Sequence, residues 1–311
     1  MPDVVITEFM DQSAVDDLSA HFDVRYSPDL VDQPKDLSEA LVDARAIIVR
    51  NRTQVRQELL DGARNLQVVG RLGVGLDNID VAVCERLGVT VYPATGANDI
   101  AVAEYVVATA MLLARGAYGA TDQVIAGSWP RPDCIGREIQ GQILGLIGCG
   151  SIARETAKRA QALGMTAIAY DPYVSREDSV WLDIGRIESV HELLEAADVI
   201  SLHVPLTDAT RNLIDAEALS KIRQGSLLIN TARGGIIDES ALIEAMKAGH
   251  VGGAAIDVFA DEPVDEKTGS QFSGIPNLLL TPHIAGVTEQ SNVRVSSMIA
   301  DKVAEHLGGA K

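Results

Sequence analysis

Apolar and polar positions alternate along this 311-residue chain in two successive blocks. In the first block, residues 1–98, the short apolar runs VVITEF, DVRYS, AIIVR, LQVVGR and VTVYP alternate with stretches of helical spacing such as DQSAVDDLSAHF and NIDVAVCERLG. Short runs rich in β-branched residues predict strands, and the alternation predicts a parallel sheet with helices on both faces. An apolar helix is expected over 99–115, followed by GSWPRPDCIGREIQGQ, whose glycines, prolines and lack of periodicity read as a loop. The second block opens at Ile143. Its expected strands are ILGLIG, TAIAYD, VISLHV, SLLINT, GAAIDV and LLLTPH, six in all, separated by helices such as SIARETAKRAQALG and ESALIEAMKAG. A last amphipathic helix, near 287–307, has no strand of its own left to cover. It is expected to cross back and complete the first block.

The stretch ILGLIGCGSIARETAKRAQALGMTAIAYDP adds chemistry to this pattern. It reads as strand, Gly-rich turn, helix and a second strand closed by an acid, the layout of a dinucleotide site. Gly148 would make the tight turn, and Gly150 would let backbone approach a pyrophosphate facing the amides that open the next helix. The third position needs only a small residue, which Ala153 supplies. Asp171 would take the ribose hydroxyls and repel a 2′-phosphate, selecting NAD over NADP. The expected fold is therefore α/β: a doubly wound parallel-sheet Rossmann domain, residues 99–285, inserted into a smaller flavodoxin-like α/β substrate domain formed by residues 1–98 and 286–311.

Three later strand ends carry polar groups where doubly wound sheets hold ligands: LINTARGGIIDE, AAIDVFADEP and LLLTPHIAG. Arg233 offers a planar cation suited to a carboxylate. His283 is a residue type that exchanges a proton near neutral pH, and Glu262 could hold its imidazole. A cation, an imidazole and a carboxylate beside a nicotinamide suit hydride transfer between a hydroxy acid and a keto acid.

Composition narrows the partners. The chain carries 44 acidic and 26 basic residues, a net charge of −18, which argues against a nucleic-acid partner. Three cysteines, Cys84, Cys134 and Cys149, have neither CxxC spacing nor an even number, which points to a reducing, cytoplasmic compartment and no metal. The opening MPDVVITEFMDQ lacks the basic and apolar regions of a signal peptide, and no apolar run is long enough to cross a membrane.

The motifs LGLIGCGSIARETAKRAQALGM, HVPLTDATRNLI, LINTARGGIIDESAL, AAIDVFADEP and NLLLTPHIAG resemble, in this order and over essentially the whole chain, the D-2-hydroxyacid dehydrogenase family. The resemblance implies a catalytic set of Arg233, Glu262 and His283. It also implies NAD contacts at Ser151, Ile152, Asp171, His203, Pro205, Thr231, Ala232, Arg233, Asp257, His283 and Gly286, besides Gly148 and Gly150. It further implies a homodimer or dimer of dimers. The front block resembles the phosphoglycerate dehydrogenase branch through IIVRNRTQV, LQVVGRLGVGLDNID and GANDIAVAEYVVA. By that resemblance Arg50, Arg71, Gly73, Val74, Gly75 and Asn98 would line the substrate pocket with Arg233 and His283, and Arg131 would reach in from a loop. Several arginines in an acidic domain suggest a second anionic group on the substrate, phosphate or sulfonate. The alternatives are a glyoxylate/hydroxypyruvate reductase and, from another class, an NAD-sensing corepressor-like binding protein.

Overall fold

The structure, a computed structural model, describes residues 2–308. Two compact units divide it, one formed by Met1–Asn98 with Val287–Lys311 and the other by Asp99–Gly286.

The outer unit is built on five strands: β1 Val4–Ile6, β2 Val24–Tyr26, β3 Ala46–Val49, β4 Val68–Arg71 and β5 Thr90–Pro93. They pair in parallel in the order β2-β1-β3-β4-β5, the flavodoxin-like arrangement. β1 and β3 are buried along their whole length, which explains why they read as unbroken apolar runs rather than as alternations. The returning helix, Glu289–Leu307, belongs to this unit. Thr288 caps it through the Ser291 amide, and its Val295, Ile299 and Val303 join the core of β1, β3 and β4. Gly70 makes this close packing possible, because a Cβ there would lie 2.6 Å from an Ile299 methyl.

The inner unit has seven strands: β6 Ile143–Ile147, β7 Thr166–Tyr170, β8 Gly185–Arg186, β9 Val199–Leu202, β10 Leu227–Asn230, β11 Gly253–Ile256 and β12 Leu278–Leu280. The order is β12-β11-β10-β9-β6-β7-β8, parallel throughout. The expectation of six strands is corrected by β8, two residues long and lacking any apolar run. Winding reverses between β6 and β9, the switch point where a doubly wound sheet opens a ligand crevice. The helix Asp99–Arg115 belongs to this unit and buries Val102, Val106, Ala110 and Leu113 against β10, β11 and the helix Ser151–Ala162. It is the core helix that its apolar sequence suggested. Among the described residues no single helix is long and apolar enough to cross a membrane. Tyr118–Ala120 and Thr121–Ile125 add two short helical turns before the expected loop, which is irregular apart from a turn at Pro132–Cys134.

One buried carboxylate shapes the outer unit. Glu8, just past β1, is 4% exposed. Its Oε1 accepts the amides of Arg50 (2.9 Å) and Thr53 (3.0 Å), and its Oε2 accepts that of Arg52 (3.1 Å). Asn78 completes the turn by donating to the carbonyls of Thr53 (2.7 Å) and Arg50 (3.2 Å). Burial acts to raise the Glu8 carboxyl, but the amides of Thr53, Arg50 and Arg52 together outweigh it and hold the group below its ordinary value of 4.5. A depressed folded-state value means that the ionised group stabilises the fold above the ordinary glutamate range. That contribution is lost as pH falls through the lower folded value. Glu8→Gln places an amide NH₂ against backbone donors, so it should cost about 1–3 kcal/mol near neutral pH. The deficit relative to wild type should shrink on acidification below pH 4.5. Denaturant melts at several pH values measure both, and a variant as stable as wild type at pH 7 would contradict the assignment.

Candidate active site

Side chains beyond β10, β11 and β12 converge through short loops. Asn230, buried at the end of β10, clamps the turn that follows. Its Oδ1 accepts the Ala232 amide (3.0 Å) and its Nδ2 donates to the Arg233 carbonyl (2.9 Å). At Gly234 any Cβ would collide with the Phe259 carbonyl, so the loops after β10 and β11 touch backbone to backbone. This contact brings Arg233 beside the segment that carries Glu262. The Glu262 Oε1 accepts the Phe259 amide (2.9 Å), and Oε2 lies 2.8 Å from His283 Nδ1. Burial acts to raise the Glu262 carboxyl. The His283 hydrogen bond, the Phe259 amide and the charges of His283 and Arg233 prevail and hold it below its usual range. Glu262 is therefore an ionised acceptor at neutral pH. It fixes the proton of His283 on Nδ1 and leaves Nε2 as the nitrogen that can exchange a proton with a ligand.

His283 has a φ of 56°, in the left-handed region that non-glycine residues enter at a cost of order 1–3 kcal/mol. The loop is held there by Asp257, which is 1% exposed at the end of β11. The Asp257 carbonyl accepts the His283 amide (2.8 Å). Its carboxylate accepts the Ile284 amide (2.8 Å) and the Thr281 hydroxyl (2.6 Å) on Oδ1, and the Ala285 amide (2.8 Å) on Oδ2. The Thr281 hydroxyl donates to this carboxylate, so at 2.6 Å from the Tyr105 hydroxyl it must accept from the phenol. Burial above all raises the Tyr105 phenol and keeps it a donor; the Thr281 bond opposes this, and the charge of Asp257 adds to it. Sequence reasoning placed Asp257 among the cofactor contacts and missed Thr281 and Tyr105. In the structure the Asp257 carboxylate anchors the His283 loop.

The Gly-rich turn lies between β6 and the helix Ser151–Ala162. Gly148, with φ 93°, passes so close to β9 that a Cβ would meet the His203 carbonyl at 2.5 Å. Gly150 caps the helix without any side-chain bond, and a Cβ on it would touch no protein atom. The glycine there keeps the approach to the Ser151 and Ile152 amides clear. Asp171, past β7, accepts the Cys149 amide (2.8 Å) on Oδ2 and those of Tyr173 (2.8 Å) and Val174 (3.3 Å) on Oδ1. It ties the turn to the strand end. Burial pushes the His203 imidazole down to about 4, so it is neutral and shares a 3.0 Å hydrogen bond with Ser201. Pro205 is exposed just beyond, and Gly286 is half-buried after the His283 loop. Thr231 has a buried hydroxyl with no protein partner, an orphan polar atom at the end of β10. An uncapped helix start, an acidic residue at a strand end and an orphan hydroxyl around the switch point fit a dinucleotide.

The remaining candidates lie elsewhere. Arg71, 9% exposed at the end of β4, folds under Gly73–Gly75 and donates from Nε to the Gly75 carbonyl (2.9 Å). A Cβ at Gly73 would collide with its guanidinium. Val74 is half-buried in the same turn. Arg50 is half-buried after β3, and the Oδ1 of Asn98 is buried without a protein partner. These belong to the outer unit; Arg131 lies exposed in a turn of the inner one.

Fold and site together define an NAD-dependent oxidoreductase acting on 2-hydroxy acids. The profile of the D-isomer specific 2-hydroxyacid dehydrogenase NAD-binding domain matches residues 107–285. The chain belongs to the D-isomer specific 2-hydroxyacid dehydrogenase family. It is 51% identical to a (S)-sulfolactate dehydrogenase of Chromohalobacter salexigens over 99% of both chains. It is 35% identical to a D-3-phosphoglycerate dehydrogenase of Methanocaldococcus jannaschii, over 99% of this chain but 58% of that protein. The fold is also that of a D-lactate dehydrogenase of Aquifex aeolicus complexed with NAD and lactic acid, with a TM-score of 0.84 and 30% identity over 98% and 96% of the two chains. These relationships support the dehydrogenase over the corepressor-like binding protein.

Proposed function

We propose that this enzyme oxidises a 2-hydroxy acid bearing a second anionic group, with (S)-sulfolactate the foremost candidate. The observation that carries the substrate is the 51% identity, over 99% of both chains, to a sulfolactate dehydrogenase. The phosphoglycerate dehydrogenase relative is matched over only 58% of its length. Two cations in the acidic chain agree with it: Arg71, nearly buried, and Arg50, whose guanidinium burial makes easier to deprotonate, while the charge of Glu8 partly offsets that effect. A phosphate is also tetrahedral and anionic, so 3-phosphoglycerate is the second substrate to test. A hydroxypyruvate reductase relative of Thermotoga maritima, 37% identical over 88% of both chains, keeps hydroxypyruvate as a third.

Each residue has a distinct task in this reading. Arg233 holds the substrate carboxylate bidentately and polarises the oxygen on C2. His283 accepts the hydroxyl proton on Nε2 while Glu262, bonded to Nδ1, stabilises the imidazolium that forms. NAD supplies the acceptor for the hydride that leaves C2. Ser151 and Ile152 offer amides to its pyrophosphate, Asp171 takes the ribose hydroxyls, and His203, Pro205, Thr231, Ala232 and Gly286 complete the cofactor seat. Arg50 and Arg71, with the Gly73–Gly75 amides and Asn98, bind the rest of the substrate. The enzyme is assigned to the cytoplasm, in keeping with its three free cysteines.

A panel of (S)-sulfolactate, 3-phosphoglycerate, glycerate and D-lactate tests the substrate, each with NAD and with NADP. Sulfolactate with NAD should give the highest kcat/KM. Arg50→Gln should lower the sulfolactate-to-D-lactate ratio roughly ten- to a hundredfold, the worth of one charge-assisted hydrogen bond. Arg233→Ala should damage both substrates alike. Equal efficiency on D-lactate and sulfolactate, or equal use of NADP, would refute the corresponding part.

We also propose a homodimer. Tyr118, Ile125, Trp129 and Ile135, each at least 67% exposed, follow the Asp99–Arg115 helix as an apolar strip that a second copy would cover. Light scattering should read twice the 33.1 kDa chain mass. A particle of single-chain mass at micromolar concentration would overturn the assignment.

A further inference from the structure

Arg50 is held at several points within the outer unit. Its amide is fixed by Glu8 (2.9 Å), and its guanidinium carbon lies 5.8 Å from the centroid of the Phe9 ring. Its Nη2 donates to the Oδ1 of Asn292 at 2.8 Å. Asn292 lies 242 positions away in sequence, in the first turn of the helix Glu289–Leu307. Among the described residues, the one side-chain acceptor of this guanidinium is an amide oxygen, and no carboxylate pairs with it. The contrast with Arg52, two residues on, is direct: its guanidinium pairs with Asp32. In a chain with 44 acidic residues, a neutral partner for a half-buried arginine is a notable choice.

The physical consequence concerns both direction and charge. A guanidinium has five donors in a rigid fork, and Asn292 occupies one of them. Its bond and the Phe9 ring fix the plane of the fork, which removes part of the rotamer entropy that a free arginine side chain would lose on binding. Asn292 takes one of the two Nη2 hydrogens, so one of the two bidentate edges of the fork, Nε with Nη2 or Nη1 with Nη2, stays available. Because the acceptor is uncharged, Asn292 adds no neutralisation beyond the Glu8 charge that already acts on this guanidinium. A carboxylate at position 292 would give the same geometry but neutralise the cation, and any incoming anion would have to compete with it.

We infer that Asn292 is a specificity-determining positioning residue, which orients the Arg50 guanidinium toward a tetrahedral oxyanion on the substrate while adding no negative charge beside it. This rests on the reading of Arg50 as a ligand of the second anionic group.

The test uses the purified full-length enzyme with NAD, and compares (S)-sulfolactate with D-lactate for Asn292→Asp, Asn292→Leu and Arg50→Gln. Asn292→Asp should lower the sulfolactate-to-D-lactate ratio of kcat/KM roughly ten- to a hundredfold, through the sulfolactate KM rather than kcat. Asn292→Leu removes the acceptor without adding charge and should shift the ratio in the same direction by a smaller factor. It also carries the test if the aspartate variant does not fold. If Arg50→Gln collapses the ratio but neither change at 292 moves it, the inference fails and the reading of Arg50 stands. If Arg50→Gln leaves the ratio intact, the reading fails and the inference with it. Equal damage to both substrates by the 292 variants assigns Asn292 to general structure and overturns the inference.

Discussion

The site depends on what the buried carboxylate of Asp257 does to the loop after β12. It accepts two loop amides and the Thr281 hydroxyl. These bonds stabilise a backbone that would not otherwise hold His283 at φ 56°. From that position the imidazole reaches Glu262 at 2.8 Å, although the two residues come from different loops. The Asp257 side chain is tolerable at 1% exposure because its oxygens are supplied with donors. The orientation of the imidazole, its tautomer and the availability of Nε2 all follow from this arrangement.

The same economy appears at the cofactor end and in the outer unit. Asp171 bonds the turn at Cys149 and the chain at Tyr173, so the acid that would recognise a ribose also builds the turn that would receive the pyrophosphate. Glu8 organises the amides of Arg50, Arg52 and Thr53 and thereby the start of a candidate ligand-binding arginine. In each case a carboxylate just beyond a parallel strand converts loose backbone into a fixed frame. Sites on rigid frames lose little entropy when a ligand binds.

Much of the fold was legible because parallel strands read as short apolar runs, and eleven of the twelve strands among the described residues lie in such runs. β8 does not: Gly185–Arg186 is too short and polar to carry a signal. The Gly-rich turn was legible because its chemistry is local, confined to one strand, turn and helix. The Glu262–His283 contact was foreseen as a pairing of residue types. Its support, the chain from Tyr105 through Thr281 to Asp257, could not be foreseen. Tyr105 and Thr281 are 176 residues apart, and a tyrosine in an apolar helix looks like ordinary core. Asn292 escaped for the same reason, since an asparagine in a helix carries no pattern until its partner is known.

The claim that the Asp257 frame sets the reactivity of His283 is tested most directly by Thr281→Val, which removes one donor from that carboxylate while leaving every side chain at the proposed reacting centre in place. The measurement is the single-turnover rate of NADH formation, alongside the dissociation constant for NAD. The account predicts a fall of roughly ten- to a hundredfold in the single-turnover rate, the cost of a small displacement of a proton acceptor, with NAD affinity changed far less. A variant that transfers hydride at the wild-type rate would contradict it.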